Sequence, residues 1–393
     1  MNGMKLKISA ALLLSCALCL IPFTAYAELM NLRGVEVSGD VGESISYNSN
    51  PGYSSTTEEG HDFANLMNFD LNVGVPFNNL HRYTINTWTN WYQYFNNQKY
   101  SQVNLRLAQA VDLIFNKAAF NLHHSYEHSS IPTIEEAGII SNGILKKDVN
   151  KFGFAMSNDL GKMKTETGFD MEIYRANDLY TPLDRNTYAP YVDLAYELTP
   201  VLDGYTRYTY QRADRLASIM NDSNQHDIVA GLRGEISKYL VGQVGAGFTA
   251  MVFDQKGDSS IQNDNYYGLN FNGSLTNRLT KYTSQKIAAS YGPELGYNVG
   301  NFYKNFNVTY TLTHKLNRWI TVSGLVEYEN MLDSSGQNVN EDIDLFGYGA
   351  HVDWLLAKDL SWRSDFKYGE KDSNQAGNSY KQVIVQSGLF YTF

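Results

Sequence analysis

Apolar and polar positions alternate with period two in short runs along most of this chain. Val35, Val37, Val41 and Ile45 lie on one side of a run whose other side carries Glu36, Ser38 and Asp40. Phe69, Leu71, Val73 and Val75 oppose Asp70 and Asn72, and Val244, Ala246, Phe248, Ala250 and Val252 oppose Gly245 and Gly247. Further on, Phe346, Tyr348, Val352 and Trp354 face away from His351 and Asp353. The final run sets Val383, Val385, Ser387, Leu389, Tyr391 and Phe393 against Gln382, Gln386 and Gly388. Period two predicts strands with two unlike faces. A terminal strand with one apolar face is an exposed edge in a soluble domain. In a closed membrane barrel that strand zips onto the first one.

Polar turns recur near positions 79, 116, 161, 201, 238, 278, 316 and 358, about every 40 residues. Several repeat one pattern, a leucine, a polar pair and an aromatic: Leu80 to Tyr83, Leu202 to Tyr205, Leu279 to Tyr282 and Leu316 to Trp319. Ile236 to Tyr239 and Leu360 to Trp362 are near matches. The expected reading is one aromatic per turn at a common membrane depth, a girdle; evenly spaced hairpins of a soluble sandwich are the alternative. Longer polar connections fall at 48–62, 96–100, 130–148, 177–186, 213–226, 254–264, 293–302, 332–342 and 372–378. Nine long connections and eight turns predict an all-β, antiparallel up-and-down transmembrane barrel of about eighteen strands, both termini periplasmic. The alternation is faintest in the sixth strand, near Val149 to Asp159.

The front of the chain reads as a secretory leader, cleaved after residue 27 and followed by a single barrel domain over 28–393. Lys5 and Lys7 precede an apolar stretch from Ile8 to Phe23, and Ala25-Tyr26-Ala27 offers a small-x-small cleavage site. Leu13-Leu14-Ser15-Cys16 is an alternative lipidation motif. Both cysteines, Cys16 and Cys19, fall in the leader, so disulfides and thiolate chemistry are not expected of the mature chain. Losing Lys5 and Lys7 takes the formal charge from −10 to −12, which with no basic run argues against nucleic acid. Beyond the leader no apolar stretch is long enough for a spanning helix. The 29 tyrosines suit instead a membrane–water interface, where one end of a ring is dry and the other wet.

Catalytic signals are weak. His123, Ser125 and Glu127 share a strand face, but positions two apart lie ~7 Å apart, too far for a direct Ser–His bond. His124 and His128 stand ~13 Å apart on a strand and cannot share a metal ion. The cluster is expected at the upper rim of its strand. Neither enzyme activity nor a cofactor is expected.

Inward positions tell more. The alternation sends Glu36, Asp40, Asp70, Glu166, Asp170, Glu172, Asp193, Glu197, Glu235, Glu327, Glu329, Asp353 and Asp365 to the lumen, with Arg106, Lys164, Arg207, Arg233, Arg363 and Lys367. Acids outnumber bases, so a continuous pore favours cations; alternatively these charges pair across strands and stiffen the wall. An inner face this polar should be wet, since a barrel of ~16–18 strands is too wide for side chains to fill. Trp88, Trp91, Tyr92, Tyr94 and Phe95 form an aromatic run. Its expected place is the outer girdle; facing inward, Trp88, Tyr92 and Tyr94 would instead stack on sugar rings. The connection at 130–148 is unusually apolar, with Ile131, Ile134, Ile139, Ile140, Ile144 and Leu145 needing burial. Long loops of this kind are usually functional, and this one is expected to constrict the pore with Glu135 and Glu136, or else to cap neighbouring loops or offer a site to an outer-surface partner.

The closing "SGLFYTF" resembles the C-terminal signature of bacterial outer-membrane barrels, whose terminal Phe is read by the barrel-assembly machinery. Together with "YNSNPGYSS" and the turns "ELTPVL", "SLTNRL" and "TLTHKL", it makes the chain similar to the β-barrel porin type 2 family. That resemblance implies a porin-like conduit in the outer membrane of a Gram-negative bacterium, associated with exopolysaccharide and exosortase systems. The expected partners are outer-membrane lipid and polysaccharide or small polar solutes. A general diffusion porin and a non-conducting structural or adhesin barrel are the other readings. Residues expected to meet solute are Trp88, Tyr92, Arg106, Glu135, Glu136, Glu166, Asp170, Glu172, Arg207 and Arg233.

Overall fold

A computed structural model describes residues 34–52, 60–78, 80–132, 144–177, 181, 183–217, 220–254, 265–296, 302–333 and 341–393. The expected leader, Glu135 and Glu136 lie outside the described residues. Nine strands form the first half: β1 (Glu36–Asn48), β2 (Asp62–Pro76), β3 (Arg82–Tyr94), β4 (Gln102–Ile114), β5 (Ala118–Pro132), β6 (Ile144–Asp159), β7 (Met163–Ala176), β8 (Arg185–Thr199) and β9 (Leu202–Arg215). Nine more follow: β10 (Ser223–Ser237), β11 (Leu240–Phe253), β12 (Tyr266–Arg278), β13 (Thr283–Leu295), β14 (Phe302–Lys315), β15 (Ile320–Asp333), β16 (Asp342–Leu355), β17 (Leu360–Ser373) and β18 (Tyr380–Thr392). Each pairs antiparallel with its sequence neighbour, and β1 also pairs with β18, closing a ring of eighteen strands.

The eight turns fall where the sequence spacing puts them. The sixth strand, faintest in pattern, is the longest at 16 residues. The connection expected at 130–148 is shorter than that, because pairing continues through Ser130–Lys146 to Pro132–Ile144. An apolar pair at the tip extends a hairpin as readily as it caps a loop.

Seam closure rests on glycine. Gly39 and Phe393 exchange backbone bonds, N to O, at 3.0 and 2.9 Å. The Phe393 ring lies over Gly39 and the Phe390 ring over Gly42, where any Cβ would collide with the rings. Aromatic cover of this kind restores the packing that a glycine strand lacks. Phe390 faces the lumen while Phe393 faces outward, so the terminal aromatics grip both faces of β1.

Strands of 13–16 residues exceed the ~9–11 that cross a bilayer. The surplus shows at the long-connection end, where the outward face turns polar. Asp148 accepts from Tyr126 Oη at 2.6 Å and contacts His128 Nδ1 at 2.9 Å; Lys381 reaches Glu370 at 2.7 Å. Below that rim the outward face is apolar, with Phe152, Phe154, Val192, Ile228, Phe248 and Leu269 exposed. The aromatic girdle at the short-turn end holds for Tyr83, Tyr239, Tyr282, Trp319 and Trp362 but not for Tyr205. There the turn precedes Leu202 instead of following it, so Tyr205 falls inside β9, faces the lumen and is buried.

The inner face is polar at mid-depth but not wet throughout. Apolar clusters form near the long-connection end: Leu145, Val149, Tyr174 and Leu183; Tyr303, Met331 and Ile343; Met251, Phe253, Tyr266 and Phe302; Ala64, Tyr94 and Tyr100. Leu145, whose burial the sequence demands, is fully buried.

Candidate functional site: the lumen wall

Cross-strand partners share a face, so the registers carry inward parity from strand to strand around the ring. Every charged residue that the alternation assigned to the lumen lies on the inward set, and most are braced. Glu172 holds Lys151 at 3.1 Å and Arg185 at 3.2 Å. His123 Nε2 meets Asp170 Oδ1 at 2.9 Å. Tyr191 Oη donates to Glu166 at 3.0 Å, and the Arg207 guanidinium lies 3.9 Å over the same ring. Arg233 donates to both oxygens of Asp193, at 3.2 and 2.9 Å, and sits 5.3 Å above the Tyr205 ring. Arg363 reaches Asp40 at 3.3 Å, and Lys367 reaches Glu327 at 3.3 Å. These contacts tie adjacent strands and, in His123–Asp170, Arg233–Asp193, Arg363–Asp40 and Lys367–Glu327, strands two apart, so wall stiffening is what most of the inward charges do.

One stretch is built differently. Asp70, Trp88, Arg106 and Glu127 are consecutive partners across β2, β3, β4 and β5. They line a recess of about 540 Å³ with Asn72, Asn86 and Ala108. Trp88 is 38% exposed, and among the described residues Arg106 has no ion-pair partner. A flat aromatic, a free guanidinium and two carboxylates thus converge on one open patch. Aromatic faces stack on the C–H faces of sugars, and guanidinium and carboxylate groups bind hydroxyls and acids.

Trp88, Tyr92 and Tyr94 therefore do not belong to the outer girdle as expected. Register decides it, since the outward positions of β3 are taken by Ile85, Thr87, Thr89 and Trp91. Tyr92 stands nearer the long-connection end, in a second recess of about 460 Å³ with Tyr94, Tyr100, Gln102, Asn104 and Gln386. The structure brings Trp88 and Arg106 together. It leaves Glu166 and Arg207 together on Tyr191, and Asp170, Glu172 and Arg233 each in a brace of its own.

The histidine cluster is divided between faces. His123 is part of the inner wall in the lower half of β5, not at the rim. His124 stacks outward on Phe152 at 4.4 Å, and His128 is the one near the rim. Among the described residues no group of three or more His, Cys, Asp or Glu is placed to hold a metal. Sequence reasoning missed Lys151, Arg185 and Tyr191 as wall residues. The parity of β6 and β8, counted from their apolar positions, would have found them.

A closed ring with an apolar outer belt, aromatics at its short-turn end and a charged inner wall defines an outer-membrane β-barrel of porin type. The chain belongs to the family described as "Putative beta-barrel porin 2", which matches residues 37–393, and its place is the bacterial outer membrane. No curated protein matches the sequence. Among solved structures it is similar to the BenF-like porin of Pseudomonas fluorescens Pf-5, at 8% identity and a TM-score of 0.50, covering 92% of this chain and 100% of that one. It is also similar to OccK2 (OpdF) of Pseudomonas aeruginosa, at 7% identity and a TM-score of 0.50, covering 92% and 98%. The same protein in complex with glucuronate matches at 8% identity and a TM-score of 0.50, covering 92% and 99%. At such identities the likeness is one of fold.

Proposed function

We propose that this barrel is a passive conduit for saccharides, a channel and not an enzyme, serving the exopolysaccharide export that its family resemblance implies. The observation that carries the reading is the Trp88–Arg106 recess in the inner wall. A sugar passing the wall there finds a stacking surface, and hydroxyls or a carboxylate find Arg106, Asp70 and Glu127. Glucuronate, the ligand in the OccK2 complex, is a solute of that chemistry. The short turns then face the periplasm, and Phe393 presents the terminal strand to the barrel-assembly machinery.

A diffusion porin for small solutes is the second reading, favoured by the size of the recess, which at about 540 Å³ suits a monosaccharide better than a chain. Single-channel conductance in planar bilayers tests both. The export reading expects steady current steps that added polysaccharide blocks, with the block weakened about five-fold in Trp88→Ala, the equivalent of ~1 kcal/mol of stacking. Block by monosaccharide alone selects the diffusion porin. A silent barrel, or one indifferent to every saccharide, refutes both.

A further inference from the structure

The second recess differs from the first in what its wall offers. Gln102, the cross-strand partner of Tyr92, borders it and makes no side-chain hydrogen bond among the described residues. Asn104 gives its carbonyl oxygen to the Ser130 N–H at 2.8 Å and keeps its Nδ2. Gln386 donates Nε2 to Ser44 Oγ at 3.0 Å and keeps its oxygen. The charged groups on the same lining are paired, His351 with Asp365 at 2.7 Å and Lys367 with Glu327 at 3.3 Å. The Trp88 recess instead holds Arg106, without an ion-pair partner, beside Asp70 and Glu127.

Amide groups with donors and acceptors to spare match the hydroxyl and acetamido groups of neutral sugars, which carry both. A carboxylate in the second recess would find no uncommitted cation among the described lining residues, whereas in the first it finds Arg106. Geometry joins the two places. Trp88 and Tyr92 share the inward face of β3, four residues and so ~13 Å apart along the strand. No single pyranose ring spans that distance; an extended oligosaccharide does. Between them Asn90 is the cross-strand partner of Asn68 and Asn104, an uncharged row that leaves no fixed charge in the way.

We propose that the two recesses are consecutive subsites of one track along β3. The lower takes an acidic sugar residue on Trp88 and Arg106, and the upper takes a neutral residue on Gln102, Asn104 and Gln386. The solute is then a chain in which acidic and neutral sugars follow one another, and not a monosaccharide. This rests on the saccharide reading of the Trp88 recess and adds to it a second site and a minimum length. Linked contacts multiply, so a chain that reaches both subsites is held longer than one that reaches either.

The residence time of blocking events in planar bilayers tests it, with glucuronate and hyaluronan oligosaccharides of increasing length as probes, because hyaluronan alternates glucuronate with neutral N-acetylglucosamine. On the native barrel residence should rise about ten-fold or more from glucuronate to the hexasaccharide. Gln102→Leu should abolish most of that rise and leave glucuronate block unchanged, whereas Trp88→Ala should shorten both. Oligogalacturonate of the same length, acidic throughout, should gain clearly less than hyaluronan. Residence independent of length, an unchanged rise in folded Gln102→Leu, or an equal gain with oligogalacturonate overturns the proposal while the saccharide reading stands. A barrel that no saccharide blocks fails that reading and this one with it. Should Gln102→Leu not fold, the length series on the native barrel decides alone.

Discussion

Removing the Arg233 head group should expose how much the wall depends on its braces. Asp193 is the most enclosed carboxylate among the wall ion pairs, its side chain 3% exposed, and it receives two hydrogen bonds from Arg233 at 2.9 and 3.2 Å. Arg233→Met keeps an unbranched side chain at this position, removes the guanidinium from above Tyr205 and leaves the carboxylate without those donors. Breaking a buried pair by deleting one partner costs ~3–5 kcal/mol. The Arg233 side chain is 35% exposed, so water already screens the pair and can replace part of what is lost. Arg207, the cross-strand neighbour of Asp193, is engaged over Tyr191 and can compensate only in part. Together these bring the expected loss to about 2 kcal/mol. Asp193→Asn in the Arg233→Met background removes the stranded charge and should recover roughly half of it. Urea unfolding of the barrel refolded into lipid vesicles, followed by tryptophan fluorescence, reads both values. If Arg233→Met is within ~0.5 kcal/mol of native, or the double variant is no more stable than the single, the braces do not carry the wall.

Strand facing is tested by arginine substitution. Val73→Arg and Phe248→Arg place a charge on the lipid side and should cost ~2–4 kcal/mol near mid-membrane, whereas Asn72→Arg, one residue from Val73 on the lumen side, should fold at near-native yield. Equal yields on both faces would show that the assigned register is wrong. Deleting Phe393 removes the ring over Gly39 and the terminal residue expected to guide insertion; folded protein in the outer membrane, measured as the heat-modifiable band, should fall sharply. A normal band in that deletion would mean that the glycine–aromatic clasp on Phe390 and Gly42 suffices and that Phe393 carries no insertion signal.

Much of this barrel was legible before any coordinates, because a strand's facing is a local property. Alternation with period two sorts side chains onto two faces without reference to neighbours, so Val73, Phe248, Asp70 and Arg106 could be placed from their own strands. Strand count followed for the same reason, since turns and long connections alternate along the chain.

Tertiary structure decided what pairs with what. Register between strands is set by the whole ring, through turn geometry at one end and closure of β1 on β18 at the other, and no single segment encodes it. That is why Trp88 could be assigned to a girdle until pairing with Asp70 and Arg106 fixed it in the lumen, and why Tyr205 left the girdle when its turn fell two residues earlier. It is also why Asp193 and Arg233, 40 positions apart in the chain, become one brace. Facing comes from the chirality and pleat of each strand; partnership comes from the shear that only a closed barrel imposes.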